Sequence, residues 1–219
     1  MFSVYNRFMT KLYRFFLRLA LRFSNFLYKV ITVLAVKSNG GIHPKHRLMG
    51  YHNFFLSNIS PTDTVLDIGC NNGAVTYDVA QKAKSLVGID IDPRHVETAK
   101  KTHSRPNITY KVGDATKDLG QEHFDVIILS NVLEHIEHRI EFMKSVKGLA
   151  HTFLIRVPMF DRDWIPLLKK EMGLEWRLDL THYTEFTKAS FEKEMKEAGF
   201  MIQSLSVQFG EIWAVVVAV

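Results

Sequence analysis

From Thr64 onward, short apolar runs alternate with longer stretches in which apolar residues recur every three or four positions. The runs span residues 64–68, 85–89, 108–112, 124–129 and 152–157, and helical spacing fills 74–84, 93–103 and 137–149. Runs that are apolar throughout and rich in Val and Ile predict strands buried on both faces. Strand–helix–strand repetition predicts a parallel sheet with right-handed crossovers. The pattern changes after Phe160: a helix is expected over 191–199, ending at Gly199, followed by strands over 200–207 and 212–219. Phe209-Gly210-Glu211 is short enough to join these last two strands as an antiparallel pair. The expectation is an α/β fold, a doubly wound seven-stranded sheet with an antiparallel last strand.

Residues 1–36 have a different pattern. Arg7, Lys11, Arg14, Arg18, Arg22 and Lys29 are separated by 4, 3, 4, 4 and 7 positions, which puts all six on one stripe of a helix. Phe8, Leu12, Phe15, Phe16, Leu19, Phe23, Phe26, Leu27, Val30 and Leu34 occupy the opposite arc. This is a basic amphipathic helix suited to an anionic membrane surface. Up to Arg22 a cation interrupts nearly every turn, which argues against a spanning helix. The same cations, with no small-residue cleavage site, argue against a secretory signal. Packing on its own domain or a partner subunit, and an Arg-rich targeting segment, are the competing readings. Ser38-Asn39-Gly40-Gly41 is a breaker run, so we divide the chain into a membrane-associating helix and hinge over 1–41 and a body over 42–219.

Charge sharpens that division. Nine of the 28 Lys and Arg residues precede Asp63 and none of the 23 Asp and Glu residues does, so the net +5 hides a mildly acidic body behind a basic leader. A nucleic-acid binder would spread its positive charge over a binding face, so nucleic acid is not the expected partner. Cys70 is the only cysteine, which excludes an intrachain disulfide and fits a reducing compartment. The expected location is cytoplasmic, attached peripherally to a membrane.

Three acids end the first three strands. Asp67 lies in Val65-Leu66-Asp67-Ile68-Gly69-Cys70-Asn71-Asn72-Gly73, where a strand turns into a helix whose first N–H groups are free. Asp90 closes the second strand, where a carboxylate can accept both hydroxyls of a ribose. Asp114 follows the third, within reach of an adenine amino group. Asp92, before Pro93, reads as a helix cap. Cys70 reads as a small wall residue, whose strand-to-helix position would favour a lowered pKa.

These segments resemble the class I S-adenosylmethionine-dependent methyltransferases. The matching text is VLDIGCNNG at 65–73, GIDID at 88–92, GDA at 113–115 and FDVIILSNVLEHI at 124–136. The resemblance implies a Rossmann-like fold and S-adenosylmethionine as cofactor, with Asp67, Gly69, Asn71 and Gly73 around the methionine part, Asp90 on the ribose and Asp114 on the adenine. The neighbouring Ile91, Ala115 and Ser130 complete the expected contact set. Asn71 stands where the family commonly has a middle glycine, and Asn tolerates positive φ. A dinucleotide dehydrogenase would want G-x-G-x-x-G, which is not present here.

Glu134 and His135 resemble the Leu-Glu-His segment of quinone-biosynthesis O-methyltransferases and of small-RNA 2′-O-methyltransferases. An acid that joins a metal site in the RNA family is replaced here by Asn131. His182, in Asp179-Leu180-Thr181-His182-Tyr183-Thr184, also resembles a residue of those families. We therefore expect His135, His182 and Glu134 to serve catalysis, and assign no metal. A divalent ion on the same three, or plain helix capping by Glu134 and His135 with His182 a loop residue, are the alternatives. His43-Pro44-Lys45-His46-Arg47 either lines the mouth of the site or links leader to body. The apolar connection from Arg156 to Trp176 suggests a lid or a second membrane contact. The expected function is O-methylation of a lipid or lipid-linked acceptor, a quinol, glycolipid or headgroup, at a membrane surface. The rivals are an RNA methyltransferase with a basic arm and a non-catalytic membrane-associated assembly factor.

Overall fold

The computed structural model describes residues 2–219, with side chains from residue 7 onward. The sheet contains β1 (Thr64–Ile68), β2 (Ser85–Asp90), β3 (Ile108–Val112), β4 (Val126–Ser130), β5 (Thr152–Pro158), β6 (Phe200–Gln208) and β7 (Glu211–Ala218). Their order is β3-β2-β1-β4-β5-β7-β6. The first five are parallel, and β7 runs antiparallel to both β5 and β6. The order reverses between β1 and β4, the place where an open parallel sheet leaves a crevice at its carboxyl ends. The apolar runs of β1, β4 and β5 are covered on both sides, whereas the run over 108–112, expected to be buried on both faces, forms the edge strand β3 and is largely exposed because no further strand pairs with it. Ile127, Leu129, Phe153, Ile155 and Val157 are all wholly buried.

The helices are α1 (Phe2–Ser38), α2 (Lys45–Met49), α3 (Tyr51–Ser57), α4 (Ala74–Val79), α5 (Pro93–Thr102), α6 (Arg139–Val146), α7 (Trp164–Glu171) and α8 (Lys188–Ala198). Met1, the start of the expected leader helix, lies outside the described residues. Local capping sets several boundaries. Asp92 accepts the Arg94 N–H at 2.8 Å, with Pro93 opening α5. A Thr187–Ser190 capping box opens α8 and left-handed Gly199 closes it.

Other boundaries differ from the sequence pattern. The helix expected over 74–84 stops at Val79, because the Asn107 amide reaches back to the carbonyls of Ala80 and Ala83. The strand expected from Phe124 starts at Val126, because Asp125 turns its carboxylate onto the Thr64 N–H and hydroxyl. The helix over 137–149 starts at Arg139 and tightens into a 3₁₀ turn at Lys147–Leu149.

By compactness the chain falls into two units. One holds the whole sheet, within Gly50–Arg162 and Leu178–Val219. The other holds α1, α2 and Asp163–Arg177. In this smaller unit Leu21 of α1 packs with Met172 and Leu174, flanked by Ile165 and Leu168. Arg18 donates to the Met172 carbonyl at 2.6 Å, so this stripe cation is engaged internally. The Asn25 amide donates to the Glu175 carbonyl at 3.1 Å and accepts from Lys169 at 2.5 Å. His43 belongs to this unit and accepts the Lys45 N–H at 3.1 Å.

Candidate functional site

Every expected site residue lies in the sheet unit. At the β1 end, Gly69 has φ +68, and a Cβ there would meet Val132 Cγ2 at 2.7 Å. The loop after β4 therefore rests directly on the loop after β1. Asn71 adopts φ +50 and so performs the turn expected of a glycine. Its N–H donates to Asp90 Oδ2 at 2.8 Å, while Asp90 Oδ1 accepts the Asp92 N–H at 2.9 Å. Asp90 thus ties down the 69–73 loop with the same carboxylate that the resemblance puts on a ribose. Gly73 begins α4 at φ +79, with the Tyr110 hydroxyl only 2.4 Å from where its Cβ would be.

Asp67 is buried and accepts the Thr76 hydroxyl at 2.6 Å. Burial pushes its carboxyl up to about 7, opposed by the Thr76 bond and reinforced by Asp90. Asp114 is engaged in its own turn, accepting from Thr116 N–H, the Thr116 hydroxyl and Lys117. Those contacts, Lys117 first, hold its carboxyl down at about 2. Ile91 is exposed, Ala115 packs partly against the core, and Ser130 ends β4 in register with Arg156. Asp67, Asp90 and the 69–73 loop are brought together, whereas the Asp114 side chain is turned into its own loop. The lowered pKa expected for Cys70 does not hold. Burial, then Asp67 and Asp90, raises its thiol well above the ordinary value.

After β4 the chain makes a 3₁₀ turn at Leu133–His135. Neither Glu134 nor His135 caps α6, whose N-cap is His138. Instead Glu134 points inward, fully buried, and neither of its carboxylate oxygens has a hydrogen-bond partner. Its backbone carbonyl accepts the Tyr183 N–H at 2.8 Å, which draws the 179–184 loop alongside. The rings of His135 and His182 meet edge to face, 4.7 Å between centroids. One ligand atom from each of Glu134, His135 and His182 lies within 4.8 Å of the others.

His135 Nδ1 is 3.0 Å from the Thr181 hydroxyl, which also donates to Asp179. His182 Nδ1 is 3.0 Å from Glu185 Oε1. Burial lowers the His135 pKa below 6.5, aided by His182, so the imidazole is neutral near pH 7. Burial pushes Glu134 from 4.5 up to about 7. A carboxyl raised on folding disfavours the charged native form, so its contribution to stability falls as pH rises between about 4.5 and 7. Glu134→Gln lacks that loss. Its stability relative to wild type should therefore climb across this window and level off above it. Thermal unfolding at successive pH values measures this, and a pH-independent difference would contradict the buried-carboxyl reading.

Two further groups surround the cluster and were missed from the sequence. Glu185, a fully buried side chain, is ion-paired to Arg162 and also accepts the Leu178 N–H at 2.5 Å. Arg156, a lone cation in an apolar strand, donates from Nε to Asn131 at 2.6 Å and pairs with Glu211 at 2.9 Å. Its guanidinium lies 3.6 Å over the Tyr51 ring, and its Nη1 is buried without a partner. The signal for Arg156 was available, since a charge in an all-apolar run must be paired when buried. Asn131 takes φ +58 to make this contact.

A family model described as a methyltransferase domain matches residues 42–205. The chain is 28% identical over 160 residues to the ubiquinone biosynthesis O-methyltransferase of Bartonella quintana (strain Toulouse), covering 68% of this chain and 64% of that one. It is 29% identical over 146 residues to the ribosomal protein L11 methyltransferase of Dechloromonas aromatica (strain RCB), covering 62% of this chain and 48% of that one. It thus spans less than two thirds of the length of these curated relatives. Magnesium protoporphyrin IX methyltransferase from Synechocystis PCC 6803, solved with bound SAH, superimposes with a TM-score of 0.61 at 21% identity, covering 78% of this chain and 81% of that one. That likeness is one of fold.

Proposed function

The chain belongs to the methyltransferase-domain family of the class I, S-adenosylmethionine-dependent superfamily, and from that premise we propose that it methylates an oxygen of a lipid or lipid-linked acceptor at the cytoplasmic face of a membrane. The observation that carries the chemistry is the Glu134–His135–His182 cluster. The loop after β4, which carries Glu134 and His135, rests on the 69–73 loop through Val132 and Gly69, and the Tyr183 N–H bond to Glu134 brings His182 alongside. Asp90, Asn71, Gly69 and Gly73 form the cofactor cradle, with Asp67 beneath it and Asp114, Ile91, Ala115 and Ser130 at its edges.

Methyl transfer is a direct displacement. The acceptor oxygen attacks the methyl carbon, the carbon–sulfur bond breaks with its electron pair going to sulfur, and the hydroxyl proton leaves to a base. Neutral His135 is that base, its Nδ1 side held by Thr181 and its other nitrogen left to face the acceptor. His182, oriented by Glu185, lines the same face. A second reading rests on the orphaned oxygens of Glu134. A carboxylate and two imidazoles suit a divalent transition ion, which would act there as a Lewis acid on the acceptor oxygen. Activity lost to a chelator and restored by a divalent ion would select it.

The apolar acceptor is supported by α1, whose aromatic arc is exposed in its own unit: Phe8 by 64%, Phe15 by 61% and Phe26 by 59%. The ubiquinone relative, named for a lipid quinone, agrees in kind. RNA as acceptor is disfavoured because the leader exposes a broad aromatic arc beside its cations, which a solvated basic arm would not carry. Calorimetry with S-adenosylmethionine tests the cofactor. Asp90→Ala should weaken binding roughly 10–100-fold, the worth of a charge-assisted hydrogen bond together with a loosened loop. Absence of binding by the folded wild type would end the proposal. Mass analysis of lipid extracts incubated with labelled cofactor tests the acceptor.

A further inference from the structure

Over Arg7–Ser38 helix α1 is long and apolar enough, by length and composition, to cross a membrane. Its contacts inside the smaller unit bear directly on that alternative. Arg18, Leu21 and Asn25, spaced by three and four, are the residues held by Met172, Leu174, Glu175 and Lys169. They lie on the cationic stripe of the helix, so segment 163–177 is strapped across the polar side. The opposite arc, from Phe8 through Phe15, Phe16, Phe23 and Phe26 to Leu34, is left open over about 39 Å of helix.

The geometry points to an in-plane arrangement: α1 lies along the membrane surface with its aromatic arc in the acyl region and segment 163–177 held on its aqueous side. This rests on the membrane reading above and specifies its surface. A spanning helix would use the less charged half after Arg22. Asn25, with the Lys169 ammonium and Glu175 carbonyl bound to it, would then sit in hydrocarbon, where charged and polar groups cost several kcal/mol.

Chain continuity adds a second objection. Segment 163–177 joins the sheet unit directly at Arg162 and at Leu178, and the same unit resumes the chain at Gly50, twelve residues after α1 ends. A crossing by residues 22–38 would leave the strap near one end and Gly50 beyond the other, so one soluble sheet would be tethered on both sides of a bilayer. An in-plane helix meets neither objection.

The occupant of the arc is a bilayer rather than a second copy. No acid occurs before Asp63, and Lys11, Arg14, Arg22 and Lys29 are exposed beside the arc. Two copies joined through their arcs would set cation against cation, whereas anionic headgroups neutralise them.

Full-length protein carrying single cysteines tests this on vesicles of phosphatidylcholine and phosphatidylglycerol, with a membrane-impermeant maleimide. Cys70 is buried and supplies little background. Phe16→Cys and Phe26→Cys should lose most of their labelling when vesicles are added. Lys11→Cys, Lys29→Cys and Leu167→Cys should keep it. Calorimetry with S-adenosylmethionine confirms that each variant is folded. Equal protection of Phe26→Cys and Lys29→Cys in floating protein would overturn the in-plane arrangement in favour of a span. Protection of Leu167→Cys would overturn the aqueous position of the strap. Arc protection without vesicles, accompanied by a dimer, would assign the arc to a second copy and overturn the inference. If the wild type fails to float and no position is protected, the membrane reading itself fails.

Discussion

His182→Ala should lower turnover roughly 10–100-fold, because the ring packs on the base His135 and lines the acceptor face, while cofactor affinity stays nearly unchanged. The imidazole is buried, packed edge to face on His135 and hydrogen-bonded to Glu185. Glu185 keeps Arg162 and the Leu178 N–H when the ring is removed, and the Tyr183 N–H still holds the loop to Glu134. The variant therefore separates chemistry from folding. His135→Ala removes the proton acceptor itself and should lower turnover further, about 10²–10⁴-fold, the usual worth of a positioned acid–base side chain. Because the His135 pKa is lowered, wild-type turnover should be flat above the ordinary imidazole range and fall only as the pH drops below it. Steady-state rates with the methylated lipid fraction, beside calorimetry for the cofactor, measure both. Full turnover in both variants would return the two histidines to the status of loop residues.

Glu211→Ala should destabilise the sheet unit by about 3–5 kcal/mol, because it leaves the buried Arg156 guanidinium without its counter-charge. For a domain of this size that is a fall of about 6–20 °C in Tm. Asn131 and the Tyr51 ring remain as partners but carry no charge. The double variant Arg156→Met/Glu211→Gln should regain most of the loss, since a well-packed apolar group replaces a buried ion pair at little cost. Thermal unfolding of Arg156→Met, Glu211→Gln and the double closes the cycle, with Glu211→Ala measured beside them. Equal losses in Glu211→Ala and the double would show that packing, not charge, dominates there. A truncation of α1 would be a poorer probe of the leader than point variants, because it strips Leu21 from Met172 and Leu174.

Local chemistry made much of the fold legible. Strands β1, β4 and β5 follow apolar runs because burial on both faces leaves few polar positions, whereas β3, at the sheet edge, keeps Thr109, Lys111 and Val112 exposed. Asp92-Pro93 and Thr187 with Gly199 announce helix ends through bonds made within a few residues. The 69–73 turn was readable for the same reason, down to Asn71 standing in for a glycine. The Glu134, His135 and His182 set was legible through a family resemblance, although its buried, unpartnered carboxylate was not.

Sequence by itself therefore determined the α/β order, the acids at the strand ends and the two faces of the leader helix. Only the tertiary structure decided that Asp90 ties down the 69–73 loop, that Arg156 answers to Glu211, that Glu185 orients His182, and that segment 163–177 is strapped on α1. The physical reason is separation along the chain. Periodicity and capping report interactions a few residues apart, whereas Arg156 and Glu211 meet only because β5 pairs antiparallel with β7, and Leu21 and Met172 only because two distant apolar segments share one small core.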